Sequence, residues 1–403
     1  MRISLGLAAV VGFLTTGAAN AQISSLKIGV LTDMSGVYAD PTGPGSVFSA
    51  RQAVQDFIAG RTGNNIEVIA GDHQNKPDIG SAIANRWIDV DKVDVIVDVP
   101  TSSVAFAVND IVKAKNKVFL GSGVAASDLT GSRCSPNTVH WTYDTWALAN
   151  GTGKAIARTG GNTWFFITAD YAFGHALERD TAAVVEANNG KVLGRVRHPL
   201  ATNDFSSFLL QAQASKAKIV GLANAGGDTI NAIKQAAEFG IVQGGQNLAG
   251  LLVNVNDVHA LGLKAAQGLL LTEAWYWDAT EANRAFAKTF AAANNGRKPS
   301  MVQAGVYAAV THYLKAVDAL KSASDGKAVV AKMKQLPIDD DLFGKGTIRP
   351  DGRKIHDMYL FEVKRPEESK YPWDYYKLRA TIPAAEAFRP LSEGNCALAA
   401  HVQ

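Results

Sequence analysis

Short apolar runs alternate with longer stretches of helical periodicity from residue 26 almost to the end of the chain. The runs at 27–32, 66–71, 93–99 and 117–121 are apolar throughout, which is how a strand reads when both faces of its sheet are covered. Between them, the stretches at 46–59, 78–91 and 102–116 repeat apolar residues at helical spacing; in the first, Val47, Ala50, Val54, Phe57 and Ile58 share one face. After residue 143 the alternation starts afresh, with a helix near 147–158, strand 164–168, helix 172–188, strand 191–197, helix 205–216, strand 218–224, helix 227–239 and strand 248–253. A strand at 268–274 and helices near 280–293 and 301–323 follow. Segment 346–364 reads as a hairpin, because Pro350-Asp351-Gly352 supplies turn chemistry between two strand-like runs. The pattern predicts an α/β protein of two doubly wound parallel-sheet units in tandem. No Pro/Gly/Ser-rich linker separates them, so several short crossing segments are expected to join them, rather than one tether.

The first 21 residues break this pattern. Arg2 precedes an apolar run at 3–14, and Ala19-Asn20-Ala21 has the small-x-small form of a cleavage site, so a removable export signal is expected over residues 1–21. The run is too short to span a bilayer. No Cys follows the cleavage site to take a lipid anchor, and no later stretch is long and apolar enough for a membrane helix. A soluble periplasmic protein is therefore expected. At 403 residues the chain can build two sizeable cores of roughly 150 residues each. Its 47% hydrophobic and 19% charged content is that of an ordinary globular protein. The formal charge of +3 comes from scattered basic residues and leaves no footprint for nucleic acid. Cys134 and Cys396 lack metal-ligand spacing, and in an oxidising compartment they predict one long-range disulfide.

Enzyme signatures are missing. The eight histidines are dispersed without an HExxH, and no Ser stands in a GxSxG elbow. The segment GTGKA at 151–155 lacks the upstream Gly and the Ser/Thr of a phosphate loop. GSGVAA at 121–126 follows a strand, yet it leads into SDLTGSRCSPN, which is unsuited to the long helix a dinucleotide fingerprint needs. No cofactor, metal site or catalytic residue is expected. What remains is a set of loops at the carboxyl ends of strands, where open α/β sheets bind ligands. The first holds Asp33, Ser35, Gly36 and Tyr38. Next come Thr101, Ser102 and Ser103 at a helix start, where free N–H groups and hydroxyls suit a carboxylate, although an ordinary helix cap reads the same way. Ser122, Gly123, Val124 and Ala125 are small enough to let backbone approach a ligand. Tyr171 and Phe173, then Asn224, Gly226 and Asp228, then Trp275-Tyr276-Trp277, close the set.

Taken in order, KIGVLTDMSGVYAD, PTSSVAFAVNDIV, GSGVAASDLT, DYAFG before a helix, and QGLLLTEAWYWD resemble the type I periplasmic binding proteins of ABC importers. The group is that of the branched-chain amino-acid (Leu/Ile/Val) binding proteins, and the likeness covers almost the whole chain beyond the signal. It implies a Venus-flytrap fold with ligand in the cleft between two lobes joined by three crossovers. Lobe 1 would take residues 26–142 and 273–345, lobe 2 residues 143–272 and 346–380, and a tail at 381–403 would return to lobe 1. The resemblance also implies that Ser102 and Ser103 hold a ligand carboxylate and that Gly123 to Ala125 supply backbone contacts. Tyr38 would line the first lobe, and Phe173 stands where the family has a Tyr. Two departures bear on the ligand. The family's acidic residue for the ligand ammonium falls in Leu251-Leu252-Val253-Asn254, which carries no charge, and a family aromatic is replaced by Ala225. A buried ammonium without a partner is costly. The chain is thus similar to the subgroup that binds aromatic carboxylates, with Tyr171, Asn224, Asn254 and Trp275 completing the expected pocket, although Asp228 can restore an ammonium site. The expected partners are a small carboxylate and a membrane permease, and the expected state is a monomer. The alternatives are a branched-chain amino acid or an amide/urea ligand in the same fold and, more remotely, a periplasmic enzyme using Asp33 or Asp170.

Overall fold

The computed structural model describes residues 25–61 and 65–400, and the expected export segment lies outside the described residues. Five strands, β1 (Leu26–Thr32), β2 (Ile66–Asp72), β3 (Val95–Asp98), β4 (Val118–Gly121) and β5 (Thr138–His140), pair in parallel in the order β2-β1-β3-β4-β5. Four more, β6 (Thr163–Ala169), β7 (Lys191–His198), β8 (Ile219–Ala223) and β9 (Asn247–Gly250), make a second parallel sheet in the order β7-β6-β8-β9. β3, β4 and β8 are buried along their whole length, which is why their runs carry no polar alternation. The two sheets are the hearts of two lobes. In each, strand order reverses beside the first strand, between β1 and β3 and between β6 and β8, and the loops at those points open toward a shared cleft.

Six antiparallel strands complete the fold. β10 (Leu270–Glu273), β14 (Met358–Val363) and β15 (Tyr376–Ile382) form one small sheet, and β11 (Ile338–Asp340), β12 (Gly344–Ile348) and β13 (Lys354–Ile355) another. The hairpin expected over 346–364 is shorter than its sequence suggests: β12 pairs with β13 around Pro350-Asp351-Gly352, but β14 leaves to pair with β10 and β15. The reason lies at Arg353, which bridges to His140 at the edge of the first sheet and spends the hairpin there. The single helix expected at 147–158 is split: Thr145–Leu148 and Lys154–Arg158 flank a widened turn at Ala149–Gly153. That turn passes so close to β10 that a Cβ on Gly151 would lie 2.2 Å from the Thr272 hydroxyl oxygen.

The crossing segment after β5 is held from outside by two buried side chains. The Arg353 guanidinium donates to the carbonyls of Trp141 (2.9 Å) and Tyr143 (2.8 Å), and the His356 Nε2 donates to that of Thr142 (2.9 Å). Every carbonyl of the segment is thereby satisfied without a neighbouring strand. Cys134 and Cys396 form the expected disulfide, which ties the C-terminal tail to the loop after β4. Among the described residues no helix is long and apolar enough to cross a membrane.

Candidate functional site

Asp33 is the anchor of the first cleft loop. Its carboxylate accepts hydrogen bonds from the backbone N–H of Gly36 (2.7 Å) and Tyr38 (2.9 Å) and from the Asn75 side chain (2.7 Å). The fold around β1 thus fixes Tyr38, which turns its ring into the cleft. From the other lobe Tyr171, at the start of helix Ala172–Ala187, brings its hydroxyl to 2.6 Å from that of Tyr38. Beside this pair the Gly227 N–H donates to the Val37 carbonyl at 3.0 Å, so a backbone bond also joins the lobes. Beside the two rings lies a tight cavity of about 20 Å3.

The first lobe gives the cavity Tyr38, Pro41, Thr42, Pro100, Gly123, Ala125 and Val302, the second gives Tyr171, Phe173, Ala225, Gly226, Leu252 and Asn254, and the crossing segment adds Tyr143. None of these side chains is charged. The polar character comes from phenols, and burial raises the pKa of Tyr38, Tyr143 and Tyr171 so that each stays a neutral donor. The Tyr143 hydroxyl donates to the Gly123 carbonyl at 3.0 Å and pins the loop after β4. Three helix starts reach the wall: Tyr171 and Ala225 are the cap residues of Ala172–Ala187 and Gly226–Glu238, and Pro100 lies just ahead of Ser102–Ala114. First-turn N–H groups of a helix favour a nearby negative charge, and of these the Gly227 N–H is already given to Val37.

The structure thus brings Tyr38, Gly123, Ala125, Tyr171, Phe173 and Asn254 together and sets the other expected residues behind them. Ser102 is fully buried, and its hydroxyl accepts the Ala126 N–H at 3.2 Å, fastening the loop after β4 to the helix start. Ser103 and Ser122 do not reach the wall, and the Val124 carbonyl bonds to His140. Asn224 bonds to His198 and Thr229. Asp228 accepts the N–H groups of Ala201 (3.2 Å) and Thr202 (2.9 Å), and burial pushes its pKa up to about 6. Its carboxylate is committed to that turn. Trp275 is packed edge-on against Phe286 in the core. Asp33 is occupied as described, and Asp170 sits exposed with His175 and Arg197. Sequence reasoning missed Pro41, Thr42, Tyr143 and Val302 as wall residues. Tyr143 was findable only through β5, a three-residue strand too short for periodicity to register, and Val302 comes from the first turn of Met301–Leu320, away from any strand end.

Residues 25–370 match the family described as Periplasmic binding protein. A Leu/Ile/Val-binding protein homolog 6 of Brucella melitensis is 26% identical over 369 residues, covering 89% of this chain and 92% of the relative. A periplasmic binding protein from Burkholderia mallei superposes with a TM-score of 0.90 at 54% identity, over 93% of this chain and 99% of the other. A branched chain amino acid ABC transporter periplasmic ligand-binding protein from Burkholderia xenovorans LB400 follows at 0.81 and 39%, over 93% of this chain and 100% of the other. These relatives are solute-binding proteins and not enzymes, in keeping with a cavity whose nearby carboxylates all hold backbone or side-chain donors. With two parallel-sheet lobes closed over an uncharged cavity and a family match across most of its length, the chain belongs to the periplasmic binding protein family, as a solute-binding protein of the branched-chain amino-acid group that serves ABC transporters.

Proposed function

We propose that this protein captures a small aromatic carboxylate between its lobes and presents it to the permease of an ABC importer. The observation that carries this reading is the wall itself: four aromatic side chains, Tyr38, Tyr143, Tyr171 and Phe173, surround a cavity with helix starts and no charged group. A carboxylate is satisfied there by N–H and O–H donors. An α-amino acid would bring an ammonium with no carboxylate on the wall to pair it, because Leu252 lies at that part of the wall and Asp228 is committed elsewhere. A solute binding protein from R. palustris, in complex with benzoate, has the same fold at 21% identity with a TM-score of 0.78. A likeness of that degree speaks for the fold alone, so the ligand class rests on the cavity. The family name favours a second reading, a branched-chain amino acid, for which the residue at issue is again Leu252.

In this reading lobe 1 comprises residues 26–142 and 273–345, lobe 2 comprises 143–272 and 346–380, and the tail at 381–403 returns to lobe 1. Residues 1–21 are removed on export, and the mature protein acts as a monomer in the periplasm. Thermal denaturation with added ligands tests the assignment. Benzoate, 4-hydroxybenzoate or cinnamate at 100 times its dissociation constant adds about 2.7 kcal/mol and raises the Tm, while leucine and urea leave it unchanged. A Tm raised by leucine and by none of the aromatic acids overturns the reading.

A further inference from the structure

We infer that the Tyr38–Tyr171 hydroxyl pair couples ligand recognition to closure of the lobes, by passing a hydrogen bond from the seam to an acceptor oxygen on the ligand. Tyr38 belongs to the loop after β1 and Tyr171 to the loop after β6, so their 2.6 Å contact exists only while the lobes are together. Two hydroxyls carry two protons, and the bond between them uses one. Neither phenol has another partner among the described residues, and both line the cavity. One hydroxyl therefore keeps a proton to give, and burial in an uncharged wall makes an unanswered donor costly. A ligand oxygen placed at the seam completes a chain of ligand, phenol and phenol that spans both lobes. An apolar end at the same place leaves the donor unanswered. In open form the two phenols are separated and the chain is broken, so the ligand is held by cooperating hydroxyls only after closure.

The inference rests on the cavity being the ligand site, and the test separates the two. Tyr38→Phe, Tyr171→Phe and the double variant keep both rings and remove only oxygen. Titration calorimetry with benzoate and 4-hydroxybenzoate should show each single variant binding roughly 3- to 10-fold more weakly, with the double variant no weaker than the worse single, because either loss breaks the whole chain. Losses that multiply in the double variant, or variants that bind as the unaltered protein does, overturn the coupling. Small-angle scattering of the ligand-free proteins reads the seam independently of any ligand. Phe variants should be more open than the unaltered protein, and identical radii of gyration overturn the interlobe role even if neither acid binds, an outcome that would count against the ligand assignment alone.

Discussion

Gly226 is the residue on which closure turns. Its φ of +55° is one that side chains rarely adopt, and a Cβ there would stand 2.2 Å from the Val37 carbonyl oxygen of the opposite lobe. Gly226→Ala should therefore hold the lobes apart: calorimetry should find ligand affinity lowered at least about 10-fold, with a stability loss of only about 1 kcal/mol from the backbone. Asp98 sets a pH dependence. It is fully buried at the end of β3, accepts the Thr32 hydroxyl at 2.8 Å, and burial raises its pKa to about 7. Between about pH 4 and pH 7 the unfolded chain releases this proton while the folded chain keeps it. The folded state accordingly loses stability as pH rises through that window, by about 1.4 kcal/mol per unit at most, and no more above it. Asp98→Asn keeps an acceptor for Thr32 and should flatten that slope, which urea midpoints at pH 5 and pH 8 would measure. Residues such as Ser102 and Trp275 show how far the sequence could be read. Their places at strand ends fix which neighbourhood they enter, but side-chain direction depends on packing partners in other elements, here Ala126 and Phe286.

At the scale of elements, the crossing segment at 141–144 depends on a side chain more than two hundred residues away. Arg353 is buried among the Trp141 and Tyr143 carbonyls, with Asp144 3.8 Å from its guanidinium. Arg353→Met fills similar volume but strands both carbonyls and the Asp144 carboxylate. It should cost roughly 3–5 kcal/mol in urea denaturation, the range seen when one partner of a buried pair is removed. Because Tyr143 belongs to this segment and to the cavity wall, ligand affinity should fall as well. The parallel strands and their helices were legible because runs such as 93–99 and 117–121 are apolar throughout. What periodicity could not register was short or paired at long range: β5, the β13–β14 break after Ile355, and the widened turn at Ala149–Gly153, which packs closely on Thr272.

For the whole molecule, the Cys134–Cys396 bridge closes a loop spanning 262 positions and removes entropy from the unfolded chain. Replacing both cysteines with Ser should lower stability by roughly 2–5 kcal/mol, and reduction of the unaltered protein should do the same. Equal urea midpoints for oxidised and reduced protein would contradict this. The bridge also decides what each end of the chain can report. The described chain starts in the first sheet at Leu26 and is fastened back beside it at Cys396, which leaves the second sheet as an internal insertion. A fluorophore attached at either end rides on one body and is blind to its hinge motion. A second dye at the exposed Asn189, in the turn before β7, would ride on the other body. Energy transfer between the two would turn the protein into an optical sensor for its own solute.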